Sequence, residues 1–241
     1  MPLNIAHRGF SSRFPENTML AFAEAEKAGC DGIELDVHLT SDGVPVVIHD
    51  EDIRRTTDGE GLVGSFTLSE LQAFNASASW KGEHPFQKIP SMEEYFEWVK
   101  GTNLMTNIEL KNSIIDYPGL EEKVIAMIRR FGLEERILFS SFNHVSMQRC
   151  KRIAPEIPCG LLYSSWIVNP GTYAAGVGVE CLHPKFYSLV PETMAEIRRH
   201  NIRINAWTIN EEDDIRRMAG LEIDGFITNF PDRVKRILSQ P

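Results

Sequence analysis

The sequence predicts an α/β fold, a closed (β/α)8 barrel (TIM barrel) with a small insertion after the second strand. Short apolar runs alternate with amphipathic segments along all 241 residues. Alternation of this kind is typical of a parallel sheet covered by helices. About eight such units in a chain of this length favour a closed barrel over an open sheet. We therefore expect a single domain spanning residues 1–241.

The predicted elements follow one another with little interruption. Strands are predicted at 3–6, 32–38, 44–49, 104–109, 137–140, 158–163, 181–183, 202–208 and 225–228. Helices are predicted at 18–28, 91–100, 120–131, 143–153, 191–200, 211–219 and 231–238. The run 44–49 is one strand too many for a barrel. It is either the end of one long, bent second strand or the return strand of a hairpin.

Several helices carry start or stop signals in the sequence. Capping boxes and first-turn prolines mark helix starts, and glycines mark helix ends. These signals are Ser91 with Glu94, Thr67 with Glu70, Pro191, Pro231, Gly29, Gly132 and Gly220.

The segment from about 51 to 88 interrupts the alternation. It is rich in glycine and small polar residues and holds one short helix pattern, at 68–74. We interpret it as an insertion on the face where barrel enzymes build their sites from loops. The alternative is a long surface loop without a role.

Composition excludes several classes of function. The net charge of −9 argues against a nucleic-acid partner, which requires an excess of Lys and Arg. The four cysteines have no metal-binding spacing, so we expect reduced thiols in a cytoplasmic protein. No apolar run approaches the roughly 18 residues of a membrane helix, so we expect no membrane anchor. Motifs of serine hydrolases, zinc proteases and nucleotide-binding loops do not occur.

The second strand carries opposite chemistry on its two faces. In "GIELDVHL", three apolar residues alternate with Glu34, Asp36 and His38. Because the apolar set must pack against the helices, the acidic set points into the barrel. His38 lies further along the same face and is a candidate contact of the site residues.

A third acid comes from the strand that ends in "NIELK". There Glu109 and Lys111 lie on the inner side. Glu34, Asp36 and Glu109 together make an all-oxygen site suited to Mg²⁺ or Ca²⁺. The alternative is a buried ion network with Arg8 and Lys111.

Histidines and cations complete the predicted mouth of the barrel. His7 and His49 each end a strand, and two imidazoles are suited to act as acid and base on a phosphate. His183 and Lys185 end another strand and are candidates for lining the same mouth.

Five segments resemble the glycerophosphodiester phosphodiesterase family: "HRGFSSRFPENT", "GIELDVHLTSDGVPVVIHDEDIRRTTDGEG", "IELK", "INAWTIN" and "DGFITNFPDRV". The resemblance runs nearly end to end. It implies a TIM barrel with an insertion after the second strand, and hydrolysis of glycerophosphodiesters to sn-glycerol 3-phosphate and an alcohol. It also implies one divalent cation, Mg²⁺ or Ca²⁺ with Mn²⁺ as a further option, and a place in lipid and glycerol metabolism.

The resemblance also implies roles for single residues. His7 and His49 would be the acid/base pair, and Glu34, Asp36 and Glu109 the metal ligands. Arg8 would bind the phosphate and Lys111 would stabilise its developing charge.

Three further residues have two interpretations each. Phe142 and Trp207 resemble residues that line the glycerol pocket, and are otherwise core aromatics. Glu16, beside Asn17 in the same loop, would orient Arg8 or a metal-bound water, or would serve only the helix entry.

Some points stay open at this level. They are the alcohol moiety, the metal used, the nucleophile, which histidine is the acid, and the oligomeric state. A lipid-cleaving phosphodiesterase of the same barrel type and a non-catalytic glycerophosphate-binding barrel remain the alternatives.

Overall fold

A closed parallel barrel is the centre of the computed structural model, which describes residues 1–239. Its strands are β1 Leu3–His7, β2 Gly32–Leu39, β3 Pro45–Val47, β4 Met105–Leu110, β5 Ile137–Ser141, β6 Cys159–Tyr163, β7 Cys181–Pro184, β8 Arg203–Ala206 and β9 Gly225–Thr228. The order is β1-β9-β8-β7-β6-β5-β4-β2-β3, and β1 also pairs with β2, which closes the sheet. The predicted (β/α)8 barrel is confirmed.

The surplus strand forms a hairpin. β3 pairs antiparallel with β2, with Val47 opposite Val37, and lies outside the parallel barrel. The alternative of one long, bent second strand is therefore wrong.

Helices surround the barrel. They are α1 Met19–Ala28, α2 Leu68–Leu71, α3 Met92–Val99, α4 Leu120–Phe131, α5 His144–Ile153, α6 Pro170–Val177, α7 Pro191–Arg198, α8 Glu212–Gly220 and α9 Pro231–Leu238. Helix α6 is absent from the predicted elements, because its small and apolar residues "PGTYAAGV" show no separation into a polar and an apolar face. Pro170 in its first turn and Gly178 at its end are the signals that the sequence offers.

The helix-end signals are confirmed with one exception. Both predicted capping boxes form, and Gly29 and Gly132 end their helices in the left-handed conformation. Gly220 instead lies inside α8 as its last residue, and Glu222, two positions on, takes the left-handed backbone with φ of 54°.

The apolar residues of β2 pack outward, as the alternation predicts. Ile33, Leu35 and Val37 are fully buried in the core between strands and helices. The segment 51–88 contributes Ile53 and Val63 to a second, smaller apolar cluster. Within the described residues, no helix combines the length and the apolar character needed to cross a membrane.

Candidate active site

Three carboxylates meet at the carboxyl ends of β2 and β4. Oxygen atoms of Glu34, Asp36 and Glu109 all lie within 4.8 Å of one another. The register of the sheet explains this, because Asp36 lies directly opposite Glu109 in the parallel pair. All three residues are buried. The two strands therefore bring their acidic faces together, as their alternation predicts.

Burial makes this cluster electrostatically costly. It raises the pKa of Glu34, and the negative charges of Asp36 and Glu109 raise that pKa further. Burial and Asp36 likewise raise the pKa of Glu109. Two of the three carboxyls therefore resist ionisation, because they are buried and lie beside other negative charges.

Asp36 is the exception within the cluster. Burial opposes its ionisation, but the positive groups around it, His49, Arg8 and Lys111, outweigh that effect and hold its pKa below the usual range. Asn17 donates from Nδ2 to Asp36 Oδ2 at 2.8 Å. The other oxygen, Oδ1, is buried and has no hydrogen-bond partner within the described residues.

The donor set fits a hard divalent cation. Lys111 Nζ lies 2.9 Å from Glu109 Oε1, and Arg8 Nε lies 3.4 Å from Asp36 Oδ2, so an ion network is present. These two cations face three carboxylates, which leaves negative charge, and Asp36 Oδ1, 3.8 Å from Lys111 Nζ, accepts no hydrogen bond within the described residues. A divalent cation bound by carboxylate oxygens would compensate both.

Arg8 is held at the end of β1 by an unusual backbone. Its φ is 58°, and its amide donates to Glu34 Oε2 at 3.0 Å. Its guanidinium donates to Glu16 Oε1 at 2.9 Å. The next residue must be glycine, because a Cβ on Gly9 would lie 2.7 Å from the backbone carbon of Ala21. The loop thereby brings Glu16 back against Arg8.

The two histidines face one cavity but have different partners. His7 Nδ1 donates to the neutral Asn229 Oδ1 at 2.6 Å, whereas His49 Nδ1 donates to the Asp50 carboxylate at 2.5 Å. Burial and, next, the charge of Arg8 lower the pKa of His7 to about 3. Both imidazoles line the cavity together with Arg8, Glu34 and Glu109.

His38 supports His49 from behind. It is fully buried; Nδ1 accepts from Tyr117 Oη and Nε2 donates to the His49 carbonyl, both at 3.0 Å. It lies beneath His49 rather than at the cavity itself.

Phe142 and Trp207 form the opposite wall of the cavity. Their rings meet edge to face at 5.6 Å, and both line the cavity. Lys185 Nζ lies 4.6 Å from the centre of the Trp207 ring. His183 does not line the cavity: its side chain is fully buried inside the barrel, and its carbonyl accepts from Trp207 Nε1 at 2.7 Å.

Sequence reasoning missed three residues that touch the site. Asn229 and Asp50 hold the two histidines, and Arg55 binds both Asp50 and Glu16. All three occur within the motifs that resemble the phosphodiesterase family, but a motif does not reveal which side chain a residue contacts.

Comparisons with known proteins match nearly the whole chain. The model of the glycerophosphoryl diester phosphodiesterase family matches residues 7–233. A glycerophosphodiester phosphodiesterase of Caldanaerobacter subterraneus subsp. tengcongensis is 42% identical, over 95% of each chain. One from Bacillus altitudinis is 43% identical, over 96% of each chain.

Solved structures show the same fold. A phosphodiesterase from Oleispira antarctica, solved in complex with the product sn-glycerol-3-phosphate, matches with a TM-score of 0.88 and 29% identity, covering 98% of this chain and 96% of that one. A glycerophosphodiester phosphodiesterase from Agrobacterium tumefaciens matches with a TM-score of 0.86 and 28% identity, covering 98% of this chain and all of that one.

The resemblance seen in the sequence and the prediction of a phosphodiesterase are thus confirmed, and the non-catalytic alternative loses its support. The chain belongs to the glycerophosphoryl diester phosphodiesterase family.

Proposed function

We propose that the chain is a metal-dependent enzyme that hydrolyses glycerophosphodiesters to sn-glycerol 3-phosphate and an alcohol, with His7 and His49 as its acid/base pair. The observation that carries this proposal is the convergence of both imidazoles and the acidic cluster on one cavity. Glu34, Asp36 and Glu109 would hold one divalent cation, Mg²⁺ or Ca²⁺, and Mn²⁺ suits the same oxygens.

Charge at the cavity suits an anionic phosphodiester. When bound, the cation would supply Lewis-acid stabilisation of the phosphoryl oxygens. Arg8 binds the phosphate through its guanidinium, and Lys111 adds positive charge as the transition state develops negative charge. Both side chains are mostly buried, 16% and 10% exposed, so their charges act with little solvent screening.

The partners of the two histidines suggest their roles. Asp50 accepts from His49 Nδ1 and leaves Nε2, 3.2 Å from Lys111 Nζ, as the nitrogen that would protonate the leaving alcohol oxygen. His7 has a neutral amide partner and is kept neutral by burial, which suits a general base that deprotonates the nucleophile. The two residues line the same cavity, so they can serve the two ends of one phosphodiester.

Phe142 and Trp207 would bind the glycerol moiety. Their edge-to-face pair presents apolar ring surface to the cavity, against which the carbon atoms of glycerol can pack. Lys185 lies against the Trp207 ring and would keep it in place.

Hydrolysis of glycerophosphocholine tests this function directly. The purified chain should release sn-glycerol 3-phosphate in Mg²⁺, Ca²⁺ or Mn²⁺, and EDTA should abolish turnover. His49→Ala should remove nearly all turnover while the circular dichroism spectrum stays unchanged. Turnover that persists in EDTA would contradict the metal assignment, and near-normal turnover of His49→Ala would remove His49 from the mechanism.

A lipid substrate is a second candidate, favoured by the distribution of exposed apolar side chains. In the described part of the chain, every exposed large apolar residue except Met1 lies in the insertion or near the carboxyl ends of the strands. These residues are Leu62, Phe86, Ile114, Phe142, Val145, Trp166, Val168, Tyr173 and Tyr187. An apolar rim around the site would suit contact with lipid.

Vesicles of phosphatidylcholine containing lysophosphatidylcholine discriminate the two substrates. If the chain cleaves lipid, it should sediment with the vesicles and release choline from them. Both sedimentation and choline release should be reduced in Trp166→Ala. Turnover of glycerophosphocholine alone would restrict the function to water-soluble diesters.

We further propose one catalytic domain, with residues 51–88 as its insertion, working in the cytoplasm. The support for this location is that all four cysteines are buried free thiols. Fractionation of the source cells would test it.

A further inference from the structure

Arg55 lies in the insertion, directly after the hairpin that carries His49. It is the last residue of a short 3₁₀-helix, Ile53–Arg55, whose start is capped by Asp52. Its neighbour Arg54 is 69% exposed and, among the described residues 1–239, forms ion pairs with Asp52 and Glu60. Arg55, by contrast, points towards the mouth of the barrel.

The guanidinium of Arg55 binds two carboxylates at once. Nε donates to Asp50 Oδ2 at 2.6 Å, and a terminal nitrogen donates to Asp50 Oδ1 at 3.2 Å. The terminal nitrogens also donate to the two oxygens of Glu16 at 2.9 and 2.7 Å. Only the planar fork of an arginine offers donors in this arrangement.

Each of these carboxylates holds one residue of the proposed chemistry. Glu16 Oε1 accepts from the Arg8 guanidinium at 2.9 Å, and Asp50 Oδ1 accepts from His49 Nδ1 at 2.5 Å. A continuous series of hydrogen bonds therefore runs from Arg8 through Arg55 to His49, although Arg8 follows β1 and His49 follows β3.

Electrostatic repulsion explains why this series of hydrogen bonds needs a cation at its centre. The carboxylates of Glu16 and Asp50 both accept from Arg55, and each also accepts a hydrogen bond from Arg8 or His49. Burial opposes the ionisation of Asp50, but Arg55 and then His49 outweigh it and lower the pKa to about 2. Without Arg55, Asp50 and Glu16 would repel each other and turn towards solvent.

We propose that Arg55 is a positioning residue that sets Arg8 and His49 together, so that phosphate binding and proton donation are coupled through the insertion. This inference rests on the proposed function of those two residues. It gives the insertion a role in the reaction, since the insertion supplies the central cation of the link.

Matched arginine variants test this role. Arg55→Gln should lower kcat about 30-fold with a smaller change in KM, because residues that orient catalytic groups typically contribute about 10- to 100-fold. Arg55→Lys should recover little of the loss, since an ammonium cannot bind both carboxylates bidentately. Arg54→Gln removes the neighbouring charge and should leave kcat unchanged. An unchanged kcat in Arg55→Gln, or an equal loss in Arg54→Gln, would overturn the proposal.

Coupling gives a second readout. Glu16→Gln and Asp50→Asn should have non-additive effects on kcat in the natural chain and additive effects once Arg55 is replaced by glutamine. Additivity in both backgrounds would mean that Arg55 transmits nothing between the two carboxylates.

A spectroscopic readout separates this inference from the function itself. In the chain without substrate, the Nδ1 proton of His49 should give an NMR resonance shifted downfield by Asp50, and Arg55→Gln should shift or broaden it while Arg54→Gln should not. If the resonance of the His49 Nδ1 proton is unaltered in Arg55→Gln, Arg55 does not position His49, even if the chain hydrolyses its substrate. Absence of turnover with the expected spectral change would instead count against the proposed function alone.

Discussion

The mouth of the barrel has two halves that are held in different ways. Glu34, Asp36 and Glu109 are fixed by the register of paired strands and are at most 8% exposed. Asp50 and Arg55 belong to the segment after the hairpin, with side chains 30% and 47% exposed, and are held by one another. The strand half is poorly solvated, and the loop half is partly exposed, so that water screens its charges.

This difference in exposure indicates which half of the site should lose more activity when a charge is removed. Charges in the strand half act at low effective dielectric, so removal of one should have a large effect. Ion pairs in the loop half are individually weak because solvent screens them. They matter through the geometry that they impose on His49 and Arg8.

The largest effect is expected in the strand half. Asp36→Asn removes a buried negative charge from the acidic cluster and should lower kcat/KM by about a thousandfold or more. Calorimetric titration with Mn²⁺ should show weakened binding. Asp213→Asn, on the exposed face of α8, is the matched control and should change neither quantity. Normal Mn²⁺ binding by Asp36→Asn would remove Asp36 from the ligand set.

A smaller effect is expected from the loop half. Asp50→Asn keeps the size of the side chain but removes the charged acceptor of the His49 Nδ1 hydrogen bond, so kcat should fall about a hundredfold. The loss should be visible as a changed pH profile of kcat. A profile identical to that of the natural chain would show that Asp50 does not act on His49.

The difference between the halves also explains what the sequence predicts and what it does not. Alternation in β2 and β4 is enough to place Glu34, Asp36 and Glu109 on one inner face, because strand pairing fixes that arrangement. Asn229 and Arg55 escape prediction because their contacts are side-chain hydrogen bonds to residues 222 and 39 positions away. Such contacts produce no repeating pattern of polar and apolar residues in the sequence. Helix α6 was missed for a related reason, since its sequence also lacks the alternation of polar and apolar residues that marks an amphipathic helix.

The partner of His7 provides a test of intermediate size. Asn229→Ala removes the acceptor at Nδ1 and should lower kcat about tenfold, because a neutral hydrogen bond orients the ring without stabilising a charge. The loss should be smaller than that of Asp50→Asn when both are measured at the same pH. A larger loss in Asn229→Ala would reverse the assignment of acid and base.

The smallest effect on activity is expected at His183, which shares the burial of the strand half but lies inside the barrel, away from the cavity. Burial lowers its pKa from the ordinary value of 6.5 to about 3. The unfolded chain therefore binds a proton between these values while the folded chain does not, so stability is fully present above about pH 6.5 and is lost as the pH falls towards 3. The added slope of the free energy of unfolding is at most about 1.4 kcal/mol per pH unit.

His183→Gln should remove this added slope in urea unfolding between about pH 6.5 and 4, while kcat at neutral pH stays within about threefold. The same substitution at the exposed His200 is the control for the loss of a histidine outside the barrel interior. A slope that persists in His183→Gln would assign the acid sensitivity to other buried groups. A large loss of kcat would mean that the interior beneath Trp207 belongs functionally to the site. Comparing the His183 and His200 variants thus separates the effect of burying a histidine on the pH dependence of unfolding from its effect on kcat.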